Sequence, residues 1–324
     1  MSPAAAVSGC RKHLFGLVGS MFLIVLFFYQ WNTSEERRAE RIYQKQEVRK
    51  QLLRDTCDRD KAAFPEEKQG WEDLSDRELN NLLVDDDNGF IFCYIPKVAC
   101  SNWRRVMHVL RRGEPYQDPL SIPQGLVHSI IPLLTSFPRA EMKAKMKHYT
   151  KFIFVRDPFV RLISAYRNKF GTVNEPFYQS YARKMMRVYG NRTNLPKTAA
   201  EAFSSGLRPS FSNFIQYLVD PTTDKRWYEP HWRQFHRLCH PCAIKYDFVG
   251  HQESLEDDAM QLLTLIKLGD TIKFPSFYQN VTTHDFVRGW FRDVPLEDRR
   301  TLYNIYQEDF KLFGYSIPEE LLNG

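Results

Sequence analysis

Three short apolar runs, each broken off sharply and each followed by a stretch with helical spacing, restrict this chain more than any other feature. Phe90-Ile91-Phe92-Cys93-Tyr94-Ile95 is nearly continuous in apolar character, as a strand buried on both faces must be. Pro96 stops it, and Asn102 to Leu110 reads as a helix. Phe152-Ile153-Phe154-Val155 is the second run, closed by Asp157-Pro158 and followed by a helix from about Phe159 to Phe170. Ala243 to Val249 is the third. Its helix, from about Ser254 to Leu268, carries Glu256, Asp257 and Asp258 in the first turn, where the dipole favours acids. Strands alternating with helices predict an α/β fold with a mostly parallel central sheet flanked by helices. Ligands of such sheets lie beyond the carboxyl ends of the strands.

Two unusual clusters fall at those ends. The first is Pro96-Lys97-Val98-Ala99-Cys100-Ser101-Asn102, a compact loop leading into a helix. A helix N-terminus offers unpaired N–H groups and a partial positive charge. Lys97 adds a full charge, and Ser101 a hydroxyl suited to capping the helix or touching an anion oxygen. The topology is P-loop-like, yet Gly-x4-Gly-Lys-Ser/Thr is missing, which disfavours a Walker-type NTPase. The second cluster is Arg156-Asp157-Pro158-Phe159-Val160-Arg161-Leu162-Ile163-Ser164. Arg161 and Ser164 are three apart on one helix face, so Arg156, Arg161 and Ser164 read as an arginine fork with a hydroxyl, matched to a phosphate dianion. The plainer alternative pairs Arg156 with a neighbouring acid.

The N-terminus bears on the compartment. No residue from Leu14 to Ser34 is charged, and Arg11 and Lys12 precede that run. It is long enough to cross a thin bilayer, and the positive-inside rule leaves the short tail in the cytosol. Phe27, Phe28, Tyr29, Gln30 and Trp31 follow where a cleaved signal peptide needs small residues. The expected organisation is a cytosolic tail over 1–13, a signal-anchor over 14–33, a lumenal stem and mostly helical lead-in over 34–84, and a catalytic domain over 85–324. Sequons at Asn32, Asn191 and Asn280 suit the lumen, with Asn32 too near the bilayer to be modified and Asn191 and Asn280 the expected glycosylation sites.

A chain of 324 residues with 43% hydrophobic and 26% charged residues is an ordinary globular protein, not a disordered one. Its formal charge of +6 suits an acidic ligand and falls far short of a histone-like polycation. Beyond cytosolic Cys10, the cysteines are Cys57, Cys93, Cys100, Cys239 and Cys242, an odd number in an oxidising lumen. Cys239-x-x-Cys242 is open to closing on itself, pairing elsewhere, or binding zinc with His236 or His240.

The two clusters together resemble the Golgi carbohydrate sulfotransferases, and more closely the chondroitin 4-O-sulfotransferase/HNK-1 sulfotransferase group. The likeness lies in the Pro-Lys-x-x-x-Ser-Asn loop at 96–102 and the Arg-x-Pro-x-x-Arg-x-x-Ser-Ala-Tyr-Arg-Asn-Lys-Phe stretch at 156–170. It continues through Phe214 to Leu218, His231-Trp232, Leu238 to Cys242, Tyr246 to Gly250 and Asp309 to Tyr315, nearly all of the chain beyond residue 80. The resemblance implies the sulfotransferase fold and 3′-phosphoadenylyl sulfate (PAPS) as sulfate donor, without a metal. It implies that 96–102 holds the 5′-phosphosulfate and that 156–164 holds the 3′-phosphate, chiefly through Arg156 and Ser164. Lys97 is the expected neutraliser of the leaving oxygen. His128 is the expected base, with His231 and His148 as reserves. The implied partners are chondroitin or dermatan chains and the Golgi membrane, not nucleic acid. One departure is Glu229-Pro230-His231-Trp232, where the group usually has Asn-Glu-His-Trp. Competing expectations are a sulfotransferase for terminal N-acetylgalactosamine or glucuronate on glycoproteins, a metal-dependent glycan kinase, and a non-catalytic lumenal glycan-binding protein.

Overall fold

The computed structural model describes residues 27, 29–30, 36–38, 40–59, 70–275 and 286–323. The chain divides into two units, residues 1–47 and 48–324. In the first, the described residues are helical. Among the described residues no helix is long and apolar enough to cross a membrane. Most of the anchor expected over 14–33 lies outside the described residues, as do the sequons at Asn32 and Asn280.

The second unit is built on a four-stranded sheet in the order β1 (Leu82–Asp85), β2 (Phe90–Cys93), β3 (Thr150–Val155) and β4 (Phe248–His251). β2, β3 and β4 are parallel, with Phe92 opposite Phe152 and Val155 opposite His251. β1 is an antiparallel edge paired to β2, and lies in the segment read from sequence as a helical lead-in. Its apolar signal is only Leu82-Leu83-Val84, and the strand is made by the turn that follows. Buried Asp85 accepts from the Asn88 backbone N–H at 3.0 Å and the Asn88 side chain at 2.8 Å. Gly89 then takes φ 63°, a left-handed conformation glycine reaches without penalty.

The third strand also begins later than its apolar run. Ala243 and Ile244 donate to the His240 carbonyl at 3.0 and 2.8 Å, which turns that stretch out of the sheet. Two disulfides fix the turn: Cys239 pairs with Cys93 at the end of β2, and Cys242 with Cys57. The pair Cys239-x-x-Cys242 therefore neither closes on itself nor is free for zinc. Cys100 is the free thiol among the described residues.

The main helices are α1 (Cys100–Leu110), α2 (Arg139–His148), α3 (Pro158–Phe170), α4 (Phe211–Val219), α5 (Leu255–Leu265) and α6 (Leu296–Phe313). Two hydrophobic clusters hold them. One joins the sheet to α1 and α5 around fully buried Trp103, whose ring lies 4.9 Å from those of Phe152 and Phe274. The other packs α3, α4 and α6 around fully buried Trp232. Gly250 in β4 is required by close approach, since a Cβ there would lie 2.2 Å from the Phe154 ring. Both βα loops expected to carry the site thus open on one side of the sheet.

Candidate active site

β2 ends at Cys93 because Pro96 has no N–H to donate, and the chain reaches α1 in six residues. No glycine is present in this loop, yet Lys97 takes φ 72° and Ala99 φ 46°. Each left-handed residue costs about 1–2 kcal/mol, so the surroundings must impose the shape. They do so from below. Val98 is fully buried, Arg161 Nε donates to the Pro96 carbonyl at 3.0 Å, and Arg156 Nη1 donates to the Lys97 carbonyl at 3.3 Å. With those carbonyls drawn inward, α1 starts at Cys100 on an Ala99 N-cap that no side chain caps. Ser101, expected as a possible cap, instead lies in the first turn. An uncapped helix N-terminus after left-handed residues is a concave array of amides suited to an anion.

α3 is started differently. Asp157 accepts from the N–H groups of Phe159 and Val160, both at 2.9 Å, and Pro158 occupies the first position. Phe159, Val160, Leu162 and Ile163 are buried in the core. Arg161 corrects the fork expected from its spacing to Ser164. It is 1% exposed, and beside its bond to Pro96 it donates to the carbonyls of Arg233 and Pro230, both at 2.7 Å. Its guanidinium also stands 4.8 Å from the Phe235 ring centre, and burial draws its pKa down to about 10. It ties the 96–102 loop to the 230–233 segment and does not line the cleft.

The cleft above these loops has a volume of about 1060 Å³. Pro96, Lys97, Ala99, Cys100, Ser101, Asn102, Arg156 and Ser164 line it, so the two clusters meet in one site. His128 lines it too, as does His231; His148 is exposed at the end of α2 and does not. Sequence reasoning missed Arg167, Asn168 and Lys169 on α3, and Arg208 from a distant coil. Arg167 and Asn168 continue the face begun by Ser164 at spacings of three and four, which was the available signal; Lys169, five residues on, carries no such spacing. Nothing local marks Arg208.

Crowded cations dominate the electrostatics. Burial, then the charges of Lys169, Arg156 and Arg167, bring the Lys97 ammonium down to about 8, although the Cys100 thiol opposes the shift. Burial likewise lowers Lys169 and Arg156. Partial burial and then Arg104, Lys169, His231 and Arg105 hold His128 below its ordinary range. His231 is lowered mainly by burial, although its Nδ1 lies 2.8 Å from Glu229 Oε1. That contact occupies Nδ1. A site of this kind holds a multiply negative ligand beside two imidazoles that favour the neutral, proton-accepting form.

A mostly parallel sheet presenting a half-buried lysine at a bare helix N-terminus, an arginine just beyond the next strand and two imidazoles with lowered pKa values opposite defines an anion-binding, group-transfer protein. Residues 80–316 match the sulfotransferase family, and the chain belongs to it. Carbohydrate sulfotransferase 12 of Mus musculus is 49% identical over 309 residues, covering 91% of this chain and 74% of that protein. Its Xenopus laevis counterpart is 45% identical over 313 residues, again covering 91% and 74%. Carbohydrate sulfotransferase 14 of Homo sapiens is 34% identical over 290 residues, covering 85% and 70%. No solved structure matches the chain.

Proposed function

We propose that this chain transfers sulfate from PAPS to the 4-hydroxyl of N-acetylgalactosamine in chondroitin, and in dermatan where that sugar recurs. The observation that carries the reading is the 3.3 Å hydrogen bond from Arg156 to the Lys97 carbonyl, which makes two cationic motifs one surface for a ligand charged at both ends. When bound, PAPS supplies a sulfur open to in-line attack by a sugar hydroxyl, with a phosphate oxygen as leaving group. The residues fit such a group, since the half-buried Lys97 ammonium, the uncapped amides of α1, Arg156 and Ser164 all line one cleft. Lys97 neutralises the departing oxygen, and Ser101 with the first amides of α1 holds the phosphosulfate oxygens. Arg156 and Ser164 hold the 3′-phosphate. His128, favoured in its neutral form, accepts the proton of the attacking hydroxyl. The positive cleft draws a polyanionic glycan towards it.

The acceptor rests on the motifs shared with the chondroitin 4-O-sulfotransferase group. The Golgi lumen is the proposed compartment, with residues 14–33 as a type II anchor. Two disulfides support an oxidising environment, and exposed Asn191 is open to glycosylation. The test is incubation of the full-length chain with radiolabelled PAPS and a panel of desulfated glycosaminoglycans, followed by disaccharide analysis. Label on the 4-position of N-acetylgalactosamine is expected. Label confined to other positions or to glycoprotein glycans would replace the acceptor, and absence of transfer with every acceptor would sink the reading.

A further inference from the structure

We propose that Arg104 is a positioning residue for the reaction above, gripping the two carbonyls that flank His128 and so fixing where that imidazole stands. The inference rests on His128 as the proton acceptor. Arg104 Nε donates to the Val127 carbonyl and Nη2 to the Ser129 carbonyl, both at 2.8 Å. The residue between those carbonyls is His128. A planar fork that bonds both neighbours of a residue sets its backbone orientation, which a single ammonium cannot do.

The loop needs such a grip. Between α1 and α2 the chain forms only three single-turn 3₁₀ segments and no strand of the sheet. Val127 is fully buried while His128 and Ile130 are exposed, so one side chain anchors the turn and the next faces the cleft. α1 and the residue that caps it supply further contacts, among them His108 Nε2 at 3.3 Å from the Val127 carbonyl and 3.4 Å from Ser129 Oγ. Arg105 Nη2 donates to Gln124 Oε1 at 2.6 Å, and Arg111 Nη1 to the Ile130 carbonyl at 2.9 Å. Arg104 itself is buried, with its guanidinium 5.7 Å from the ring centre of Tyr94, at the root of the 96–102 loop. It lies about 6 Å along the helix from Cys100, one turn beyond the bare N-terminus. A single rigid turn therefore relates the donor end of the cleft to the histidine.

Charge works in the same direction. The groups facing His128 are Arg104 and Arg105 from α1, Lys169 from α3 and His231 from the 229–233 segment, and all disfavour its imidazolium. Removing the Arg104 charge lets His128 protonate at higher pH, so the acid limb of the rate profile moves up.

Two variants of the full-length chain separate geometry from charge, with His128→Ala run beside them. Arg104→Lys keeps the charge and loses the fork. Its kcat should fall about 10- to 100-fold, with the KM for PAPS and the Kd for 3′,5′-ADP within about twofold of wild type and the acid limb unmoved. Arg104→Gln should lose at least as much and shift the acid limb upward. Nucleotide affinity also reports folding, so a parallel loss of kcat and 3′,5′-ADP binding would make Arg104 a structural buttress and overturn the proposal. Wild-type kcat in both variants, with His128→Ala inactive, overturns the positioning role and leaves the base in place. An unmoved acid limb in Arg104→Gln overturns the electrostatic part. Near-normal turnover of His128→Ala removes the base assignment and this inference with it.

Discussion

The wall of the cleft that carries Lys97 and Arg156 is made of backbone at the ends of β2 and β3, whereas the wall that carries His128 and His231 is coil held by side chains. On the first wall the sheet fixes both loops, and the cations Lys97, Arg156, Arg167 and Lys169 crowd together. On the second, Arg104 grips the carbonyls beside His128, and Glu229 occupies the Nδ1 of His231. The difference matches two tasks. On the proposed reading, the donor meets a charged floor fixed by the sheet, and the sugar meets imidazoles held in place by side-chain hydrogen bonds to coil. Arg161 belongs to both, since it bonds Pro96 on one side and Pro230 and Arg233 on the other.

The comparison breaks most readily at His128. His128→Ala should lower kcat about 10²- to 10⁴-fold while leaving the Kd for 3′,5′-ADP within about twofold; loss of nucleotide binding would mean the walls are not separable. Arg161→Met removes the donor to three carbonyls, that of buried Pro96 and those of half-buried Pro230 and Arg233, and should cost about 3 kcal/mol of stability, read by denaturant unfolding. A change below about 1 kcal/mol would show that the two walls do not depend on that tie. Arg156→Ala should weaken 3′,5′-ADP about 10- to 100-fold, the worth of a charge-assisted phosphate contact, and unchanged affinity would refute its assignment. With Lys97 at about 8, nucleotide affinity should be flat below pH 7 and fall up to about tenfold by pH 9 as the ammonium deprotonates. Lys97→Arg should remove that fall, and a pH-independent wild type would remove Lys97 from the site. Smallest, Ala99→Gly relieves a left-handed alanine and should change stability by no more than about 1 kcal/mol; a loss of several kcal/mol would show that the methyl packs and is not merely tolerated.

The donor wall was legible because a doubly buried parallel strand is an unbroken apolar word and the chemistry sits where it stops. β1 was not, because three apolar residues beside Asp85 fix a strand only through the turn to Asn88 and Gly89. Arg161 misled because spacing assigns a helix face but not what that face meets. Here the first turn of α3 packs over backbone carbonyls, while Ser164 and Arg167 further along meet the cleft. The histidine wall was half visible: His128 was named, but its support comes from α1 through hydrogen bonds to carbonyls, which leave no residue-type signature. The disulfide partners were equally hidden, since Cys57 and Cys242 are 185 residues apart.

The crowding of ammonium and guanidinium groups around Lys97 also bears on how the protein behaves before any nucleotide arrives. Arg156 is buried and Lys97 and Lys169 are half-buried, and the like charges around Lys97 repel one another across the cleft, with Glu253 and Glu229 offsetting part of that repulsion. A polyanion entering it completes the charge balance of the interior as well as starting the reaction. Purified material kept in low-salt buffer is accordingly at its most fragile, and pyrophosphate or sulfate should raise its melting temperature without any turnover.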